Sequence, residues 1–278
     1  MGKSENFLQQ TEGYFIMTHD FWLKQKDNEP LFKDIEWDKP EQKSIAGRLL
    51  IVGGTINGFS AVVKAHTIAN ETGAGEIKVA IPDILKKTLP QDFNDGIFLP
   101  TNVSGSLSKE SEIELFSAAD WSNGILLIGD SGQNSETAIL YDKLLDSTSN
   151  WVTITRDVID LLMNSADKLV SRKNTNLVLN FSQVQKLFSK VYYPKILTFS
   201  MQFTSFIESV HKFTITYPVT LTVLFSDKII VANDGQVVSQ EYKDMMSLVN
   251  GTLATKNATY LLWSPKKPLE AIATSWQK

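Results

Sequence analysis

The sequence predicts an α/β protein with one mostly parallel central sheet and helices packed on both of its faces. Short apolar runs recur around Leu49, Ile77, Ile125, Val152 and Leu177, and each is followed by a segment with helical spacing of its apolar residues. The runs are nearly continuous rather than alternating, which is typical of parallel strands buried on both faces. Alternating strands and helices of this kind favour right-handed crossovers within a single sheet.

The first strand-helix-strand unit is the clearest of these. An apolar run at residues 49–52 enters the glycine pair Gly53-Gly54, the following residues have helical spacing up to Gly73, and residues 76–81 form the next strand. Two glycines after a strand let a ligand approach the backbone, and the helix N-terminus offers N–H groups to an anion. A plain strand-to-helix turn is the alternative.

The composition fits a globular protein and excludes several classes. The chain has 278 residues, 42% of them hydrophobic, which is enough for a substantial core. Without an apolar run near the ~18 residues of a membrane span or a signal-like N-terminus, we expect a cytoplasmic protein that does not contact membranes. With no cysteine and three histidines, we expect neither a disulfide nor a metal site. A net charge of −4 gives no reason to expect nucleic acid as a partner.

The other elements follow in chain order. Residues 1–40 are predicted to be a helical N-terminal extension, with a helix that begins near Thr18 and ends before Pro30. Residues 41–278 are predicted to form one domain. Within it, further helices are expected at residues 83–89, 108–119, 135–145, 158–163, 182 onward, 200–212 and 269–276, and further strands at 96–100, 124–128, 151–155, 176–180, 219–225 and 229–232. The last two strands form a hairpin around Ser226-Asp227.

Residues 43–82 also carry a resemblance to a known family. The residues concerned are Lys43, Gly47-Arg48-Leu49-Leu50-Ile51-Val52-Gly53-Gly54-Thr55, Ser60-Ala61, Thr72-Gly73-Ala74-Gly75 and Val79-Ala80-Ile81-Pro82. This stretch resembles the opening of the NAD(P)H-hydrate dehydratases, which belong to the ribokinase-like superfamily, use ADP or ATP and repair hydrated nicotinamide cofactors. The resemblance implies a ribokinase-like three-layer α/β/α sandwich, and it becomes weaker after residue 82.

The resemblance implies a substrate site at the carboxyl ends of the strands. The positions concerned are Gly53, Gly54, Ala61, Gly129, Asp130, Ser131, Asp157 and Ser182. The family's glycine-rich substrate loop is matched only at Gly129, and Asp130 adds a negative charge where the family handles a phosphate-bearing ligand. Asp157 matches one of two family carboxylates, with a helix cap as its alternative role. Ser182 replaces the histidine that helps to hold the hydrated nicotinamide, so we expect substrate binding to be weakened.

The positions that the resemblance assigns to nucleotide binding differ even more from the family's residues. They are Ser226, Asn257 and Tyr260. Phe225 stands where the family has a phosphate-facing lysine, and Tyr260 stands at the Asp of a Gly-x-Gly-Asp loop that opens a helix. We therefore expect weak or absent binding of ADP and ATP, and we assign no catalytic residue.

Three functional interpretations follow from these residues. The preferred one is a degenerate homologue of the ADP/ATP-dependent NAD(P)H-hydrate dehydratases, with impaired catalysis and a pocket for a small nucleotide-like ligand. An active dehydratase or sugar-kinase-like enzyme would need Asp130, Asp157 or Lys256 to converge in one cleft. A non-enzymatic scaffold or homo-oligomer would use surface aromatic residues, for which the candidates are Trp22, Trp37 and Trp263.

Overall fold

The computed structural model describes residues 20–89 and 93–277. In this part of the chain one sheet contains ten strands: β1 (Trp22–Gln25), β2 (Arg48–Gly53), β3 (Glu76–Pro82), β4 (Gly96–Leu99), β5 (Gly124–Gly129), β6 (Trp151–Thr155), β7 (Thr175–Asn180), β8 (Thr220–Phe225), β9 (Lys228–Asn233) and β10 (Gln236–Glu241). The α-helices of the same residues are α1 (Lys33–Trp37), α2 (Ser60–Thr72), α3 (Glu112–Trp121), α4 (Ser135–Ser147), α5 (Asp157–Leu161), α6 (Ala166–Ser171), α7 (Phe181–Lys190), α8 (Phe203–Thr216), α9 (Met246–Val249), α10 (Thr252–Trp263) and α11 (Pro268–Thr274). None of them is long and apolar enough to cross a lipid bilayer.

The sheet is mostly parallel, as predicted. Its strand order is β1-β10-β9-β8-β7-β6-β5-β2-β3-β4. β9 runs antiparallel to both of its neighbours, and every other neighbouring pair is parallel. The predicted β8–β9 hairpin is therefore confirmed. All strands except β9 end at the same edge of the sheet, which we call the carboxyl edge.

Helices cover both faces and make three layers. On β2, Leu49 and Ile51 belong to one core cluster while Leu50 and Val52 belong to the other, because successive side chains of a strand point to opposite faces. All four side chains are fully buried. Helices α2, α10 and α11 supply the first cluster, and helices α3 to α8 supply the second. This burial on both faces explains the unbroken apolar runs in the sequence.

The N-terminal segment differs from the prediction. The sequence predicts a helix from Thr18 to Pro30. For the described part of this stretch the prediction is wrong, because the stretch contains β1, which pairs in parallel with β10. Thr18 itself lies outside the described residues. Trp22 also donates from Nε1 to Ser239 Oγ of β10 at 2.8 Å. Without β1, the backbone groups along the outer side of β10 would lack partners. This long-range pairing overrides the local helix signals, and β10 was itself missing from the predicted strands.

Candidate functional site

Three loops at the carboxyl edge bring most of the predicted substrate positions together. They follow the neighbouring strands β2, β5 and β6. The Gly54 N–H donates to the Gly129 carbonyl at 3.0 Å. A Cβ atom at Gly53 would overlap that carbonyl oxygen, and a Cβ atom at Gly129 would overlap the Asp157 carboxylate. The missing side chains at Gly53 and Gly129 therefore make room for the neighbouring loops, so close packing within the chain is sufficient reason for these two glycines.

The Asp130 carboxylate lies at the start of α2. Its Oδ2 atom accepts from the Ala61 N–H at 3.2 Å, and its Oδ1 atom pairs with the Arg156 guanidinium at 2.6 Å. The two side chains are only 15% and 22% exposed, so salt screens the pair less than a surface pair. Asp130 and Arg156 both have positive φ, a conformation that non-glycine residues adopt at a cost. The helix N-terminus that we expected to be open to an external anion thus already faces a carboxylate of the chain.

The Asp157 carboxylate occupies the backbone donors of the loop after β5. Its Oδ2 atom accepts from the N–H groups of Ser131 and Gly132 at 2.8 and 3.0 Å. Its Oδ1 atom is buried and has no hydrogen-bond partner among the described residues. The alternative role as a helix cap is not observed, because Asp157 is the first residue of α5 and Arg156 precedes it at the cap position. The loop in which the resemblance implies substrate binding therefore binds a side chain of its own protein.

Buried hydroxyl groups form hydrogen bonds with the loop after β5. Ser131 Oγ lies 3.0 Å from the Tyr141 hydroxyl, and Ser106 Oγ donates to the Ser131 carbonyl at 2.8 Å. Burial raises the pKa of Tyr141, and the nearby Asp157 charge raises it further against the opposing hydrogen bond from Ser131. Tyr141 therefore stays protonated at neutral pH. Tyr141 could not be singled out from the sequence, because its position on the apolar face of α4 is indistinguishable from that of an ordinary core residue.

Removal of the Asp157 carboxylate is expected to destabilise the fold. We expect Asp157→Ala to lower the free energy of unfolding by roughly 2–4 kcal/mol, since two backbone N–H groups would lose their acceptor. Asp157→Asn keeps one acceptor oxygen and should cost less. Urea denaturation measures the free energy of unfolding of both variants. The matched control is Asp167→Ala, at an exposed position of α6. An Asp157→Ala protein as stable as the control would contradict this role.

Ser182 follows β7, the strand beside β6, and is not part of the three loops. It is exposed in the first turn of α7 and does not cap that helix. The N-cap is Asn180, whose side chain accepts from the Gln183 N–H at 2.9 Å while the Gln183 side chain accepts from the Asn180 N–H at 3.2 Å. An Asn followed three residues later by Gln was the sequence signal for this capping box. Gln183 also donates to the Arg156 carbonyl at 2.9 Å, which ties α7 to the loop after β6.

The helix that the family resemblance places at the nucleotide begins earlier than predicted. The structure starts α10 at Thr252, directly after Gly251, which has a φ of 83°. Residues 256–260, which we expected to open this helix, therefore lie inside it. The Thr252 N–H donates to the Asn250 side chain at 3.0 Å. A helix N-terminus does reach the carboxyl edge here, but one of its N–H groups is already paired within the chain.

Asn257 and Tyr260 are consequently not at a helix start. Asn257 is fully buried, donates to Thr222 at 3.2 Å and accepts from Ser275 at 2.9 Å. Tyr260 packs its ring against Trp263 with centroids 4.9 Å apart, and burial raises the pKa of its hydroxyl. The Asn257 side chain thus joins α10 to β8 and to the residue after α11, whereas Tyr260 packs against a residue of α10 itself.

The carboxyl end of β8 lies in an aromatic cluster. Phe225 stacks on Phe206 with centroids 4.7 Å apart and meets Phe181 edge-on at 5.0 Å. Ser226 follows in the β8–β9 turn with positive φ. These rings bring no positive charge to the position where the family resemblance implies a phosphate-facing lysine.

A large cavity lies elsewhere on the carboxyl edge. Its volume is about 830 Å³, and the ends of β1 and β10 line it together with Lys228, Lys256 and Trp276. None of the predicted substrate or nucleotide positions lines this cavity. The predicted edge of the sheet thus carries a cavity, but at the β1–β10 end rather than beside β2, β5 and β6.

Comparisons with known proteins find similar folds among solved structures. No protein-family model matches the sequence, and no curated protein matches it. A ribokinase-like superfamily protein from Enterococcus faecalis V583 has a similar structure, with a TM-score of 0.70 and 16% identity over 96% of this chain and 88% of that chain. A hypothetical protein from Streptococcus mutans gives a TM-score of 0.68 and 15% identity, covering 87% and 84%.

A third similar structure has the name of the family that residues 43–82 resemble. It is the ADP/ATP-dependent NAD(P)H-hydrate dehydratase from Bacillus subtilis, co-crystallised with ATP and Mg²⁺, with a TM-score of 0.58 and 10% identity over 89% of this chain and 86% of that chain. At these identities the similarity establishes the fold alone. The chain thus has the ribokinase-like α/β fold, in which helices cover both faces of a mostly parallel sheet.

Proposed function

We propose that this protein is a degenerate homologue of the ADP/ATP-dependent NAD(P)H-hydrate dehydratases, with impaired catalysis and a retained small-molecule pocket. One observation carries the proposal. At the carboxyl edge, backbone N–H groups suited to an external anion donate instead to side chains of the chain itself. Asp130 accepts from Ala61, and Asp157 accepts from Ser131 and Gly132.

These internal contacts oppose the binding of a phosphate-bearing ligand. Glycine-rich loops and helix N-termini bind phosphate through unpaired N–H groups and a positive local potential. Here the same groups face two carboxylates, so a phosphate would meet negative charge and compete with existing hydrogen bonds. Displacing Asp130 would also break its ion pair with Arg156, which is largely shielded from solvent.

The nucleotide side of the fold supports the same conclusion. A lysine neutralises phosphate charge, whereas Phe225 is enclosed by aromatic rings that supply no donor. The Tyr260 hydroxyl has a raised pKa and lies within α10, so it is a poor proton acceptor at neutral pH.

The two alternative interpretations have less support. An enzyme with relocated groups needs Asp130, Asp157 or Lys256 to converge in one cleft. Both carboxylates accept hydrogen bonds from the chain's own backbone, and Lys256 lines the separate cavity at the β1–β10 end. A scaffold that uses surface tryptophans retains one of its three candidates. Trp37 is 88% exposed, whereas Trp22 and Trp263 donate hydrogen bonds to Ser239 and to the chain's own backbone.

Calorimetric titration with ADP, and with ATP and Mg²⁺, tests the proposal. We expect no saturable binding in the micromolar range, because Phe225 stands in place of the lysine and the loop donors are occupied. The Bacillus subtilis dehydratase, which was co-crystallised with ATP and Mg²⁺, is the positive control. Micromolar affinity of this chain for ATP that is lost when Phe225 or Asp157 is changed would contradict the proposal.

A further inference from the structure

The cavity at the β1–β10 end has a charge opposite to that of the chain. Five lysines and three carboxylates line it, an excess of two positive charges, whereas the whole chain has a net charge of −4. Lys26 and Lys228 pair with nearby carboxylates. Lys24, Lys243 and Lys256 make no ion pair with any described residue. Unpaired ammonium groups around one cavity give it a positive potential that favours a bound anion.

Aromatic side chains form part of the same lining. Trp22, Phe203 and Tyr242 all face the cavity. The Lys24 ammonium lies 4.4 Å from the centroid of the Trp22 ring, and the Lys228 ammonium lies 5.8 Å from that of Phe203. Flat apolar walls with cations beside them suit a ligand that has a planar ring and a separate negative group.

The cavity also contains a buried donor without a partner. Trp276 lines the cavity and is 4% exposed, and its Nε1–H has no hydrogen-bond acceptor among the described residues. Buried donors of this kind are almost always paired in folded proteins, and leaving one unpaired is costly. This nitrogen is covered by protein atoms, so an acceptor oxygen of a ligand in the cavity would satisfy it after a small movement of the indole.

We propose that this cavity binds a planar organic dianion, namely an aromatic or heteroaromatic monophosphate. The phosphate lies among Lys24, Lys243 and Lys256, the ring packs against the aromatic wall, and a ligand oxygen accepts from Trp276. Two excess positive charges match a dianion, whereas a nucleoside triphosphate would bring further negative charge beside Asp27, Glu241 and Asp244. The inference rests on the proposed function, because it identifies the ligand of the pocket that the degenerate fold retains. The volume of about 830 Å³ suits a ligand of this size.

Two probes represent this chemistry, 4-nitrophenyl phosphate and adenosine 5′-monophosphate, and they distinguish a simple aryl phosphate from a nucleotide. Calorimetry measures their affinities, with ATP and neutral 4-nitrophenol as comparisons. In ¹H–¹⁵N spectra the indole N–H signal of Trp276, identified by its loss in Trp276→Phe, should shift when a probe binds. The signal of Trp37, which is 88% exposed, should not move. We expect at least one monophosphate to bind more tightly than both comparison compounds.

Matched variants show where the probe binds. Lys256→Gln and Lys24→Gln should each lower the affinity for the probe by about tenfold, and Trp276→Phe should lower it by about fivefold. Lys64→Gln, at an exposed position of α2, should leave the affinity unchanged, and the unfolding midpoint of each variant shows that it is folded. Absence of binding by both probes, binding that survives both cavity lysine variants, or an unmoved Trp276 signal would each overturn the inference. None of these outcomes depends on dehydratase turnover, so the inference and the proposed function fail separately.

Discussion

Hydrated NADH incubated with the purified protein and either ADP or ATP is expected to dehydrate no faster than it does without protein. Removal of a positioned acid or base typically costs about 10²–10⁴ in rate, and removal of one anion-stabilising donor costs about 10²–10³. The resemblance implies that Phe225 replaces a lysine and Ser182 a histidine, and α10 extends across residues 256–260, where it implies a glycine-rich loop. Groups that act together are not additive, but one such loss already removes most of the rate.

Aspartate and tyrosine variants test whether any turnover depends on Asp157 or can be restored at Tyr260. Asp157→Asn and Asp167→Asn should behave like the wild type in this assay, since neither residue has a catalytic role in the degenerate interpretation. Tyr260→Asp should not restore turnover, because Tyr260 lies in the third turn of α10 and packs on Trp263. Wild-type turnover that falls in Asp157→Asn but not in Asp167→Asn would establish an active enzyme with relocated groups.

Gly53→Ala is expected to destabilise the protein by about 3 kcal/mol, because overpacking against a backbone atom cannot be relieved by a side-chain rotation. The added methyl group would overlap the carbonyl oxygen of Gly129, which is itself hydrogen-bonded to Gly54 at 3.0 Å. Relief requires β2 and β5 to move apart, and both strands lie inside the sheet. In a protein of this size the melting temperature should fall by roughly 6–10 °C.

The matched control is Gly58→Ala in the following loop. The nearest atoms to a Cβ there belong to Asp130 at 3.7 Å, an ordinary van der Waals contact. We expect a change within about 0.5 kcal/mol, as for most substitutions that create no clash. Equal melting temperatures for Gly53→Ala and Gly58→Ala would show that the β2 and β5 loops are not packed as described.

The central elements of the fold could be predicted from the sequence because their signals are local. Short, largely apolar segments followed by helical periodicity depend on neighbouring residues alone, and β2, β5, β6 and β7 appear where predicted. β1 and β10 could not be found in this way. β1 forms by pairing with a strand more than 200 residues away, and its four residues are too few to carry a decisive local pattern.

The candidate site was also only partly predictable from the sequence. The sequence alone determined which residues follow the strands, and therefore that Gly53, Gly129 and Asp157 meet at one edge of a parallel sheet. Only the tertiary structure decided what fills the site, since Asp130 reaches Ala61 across 69 positions of sequence and Asp157 reaches Ser131 across 26. A backbone N–H group is identical in every sequence, and whether it remains open to a ligand depends on which side chain the folded chain places opposite it.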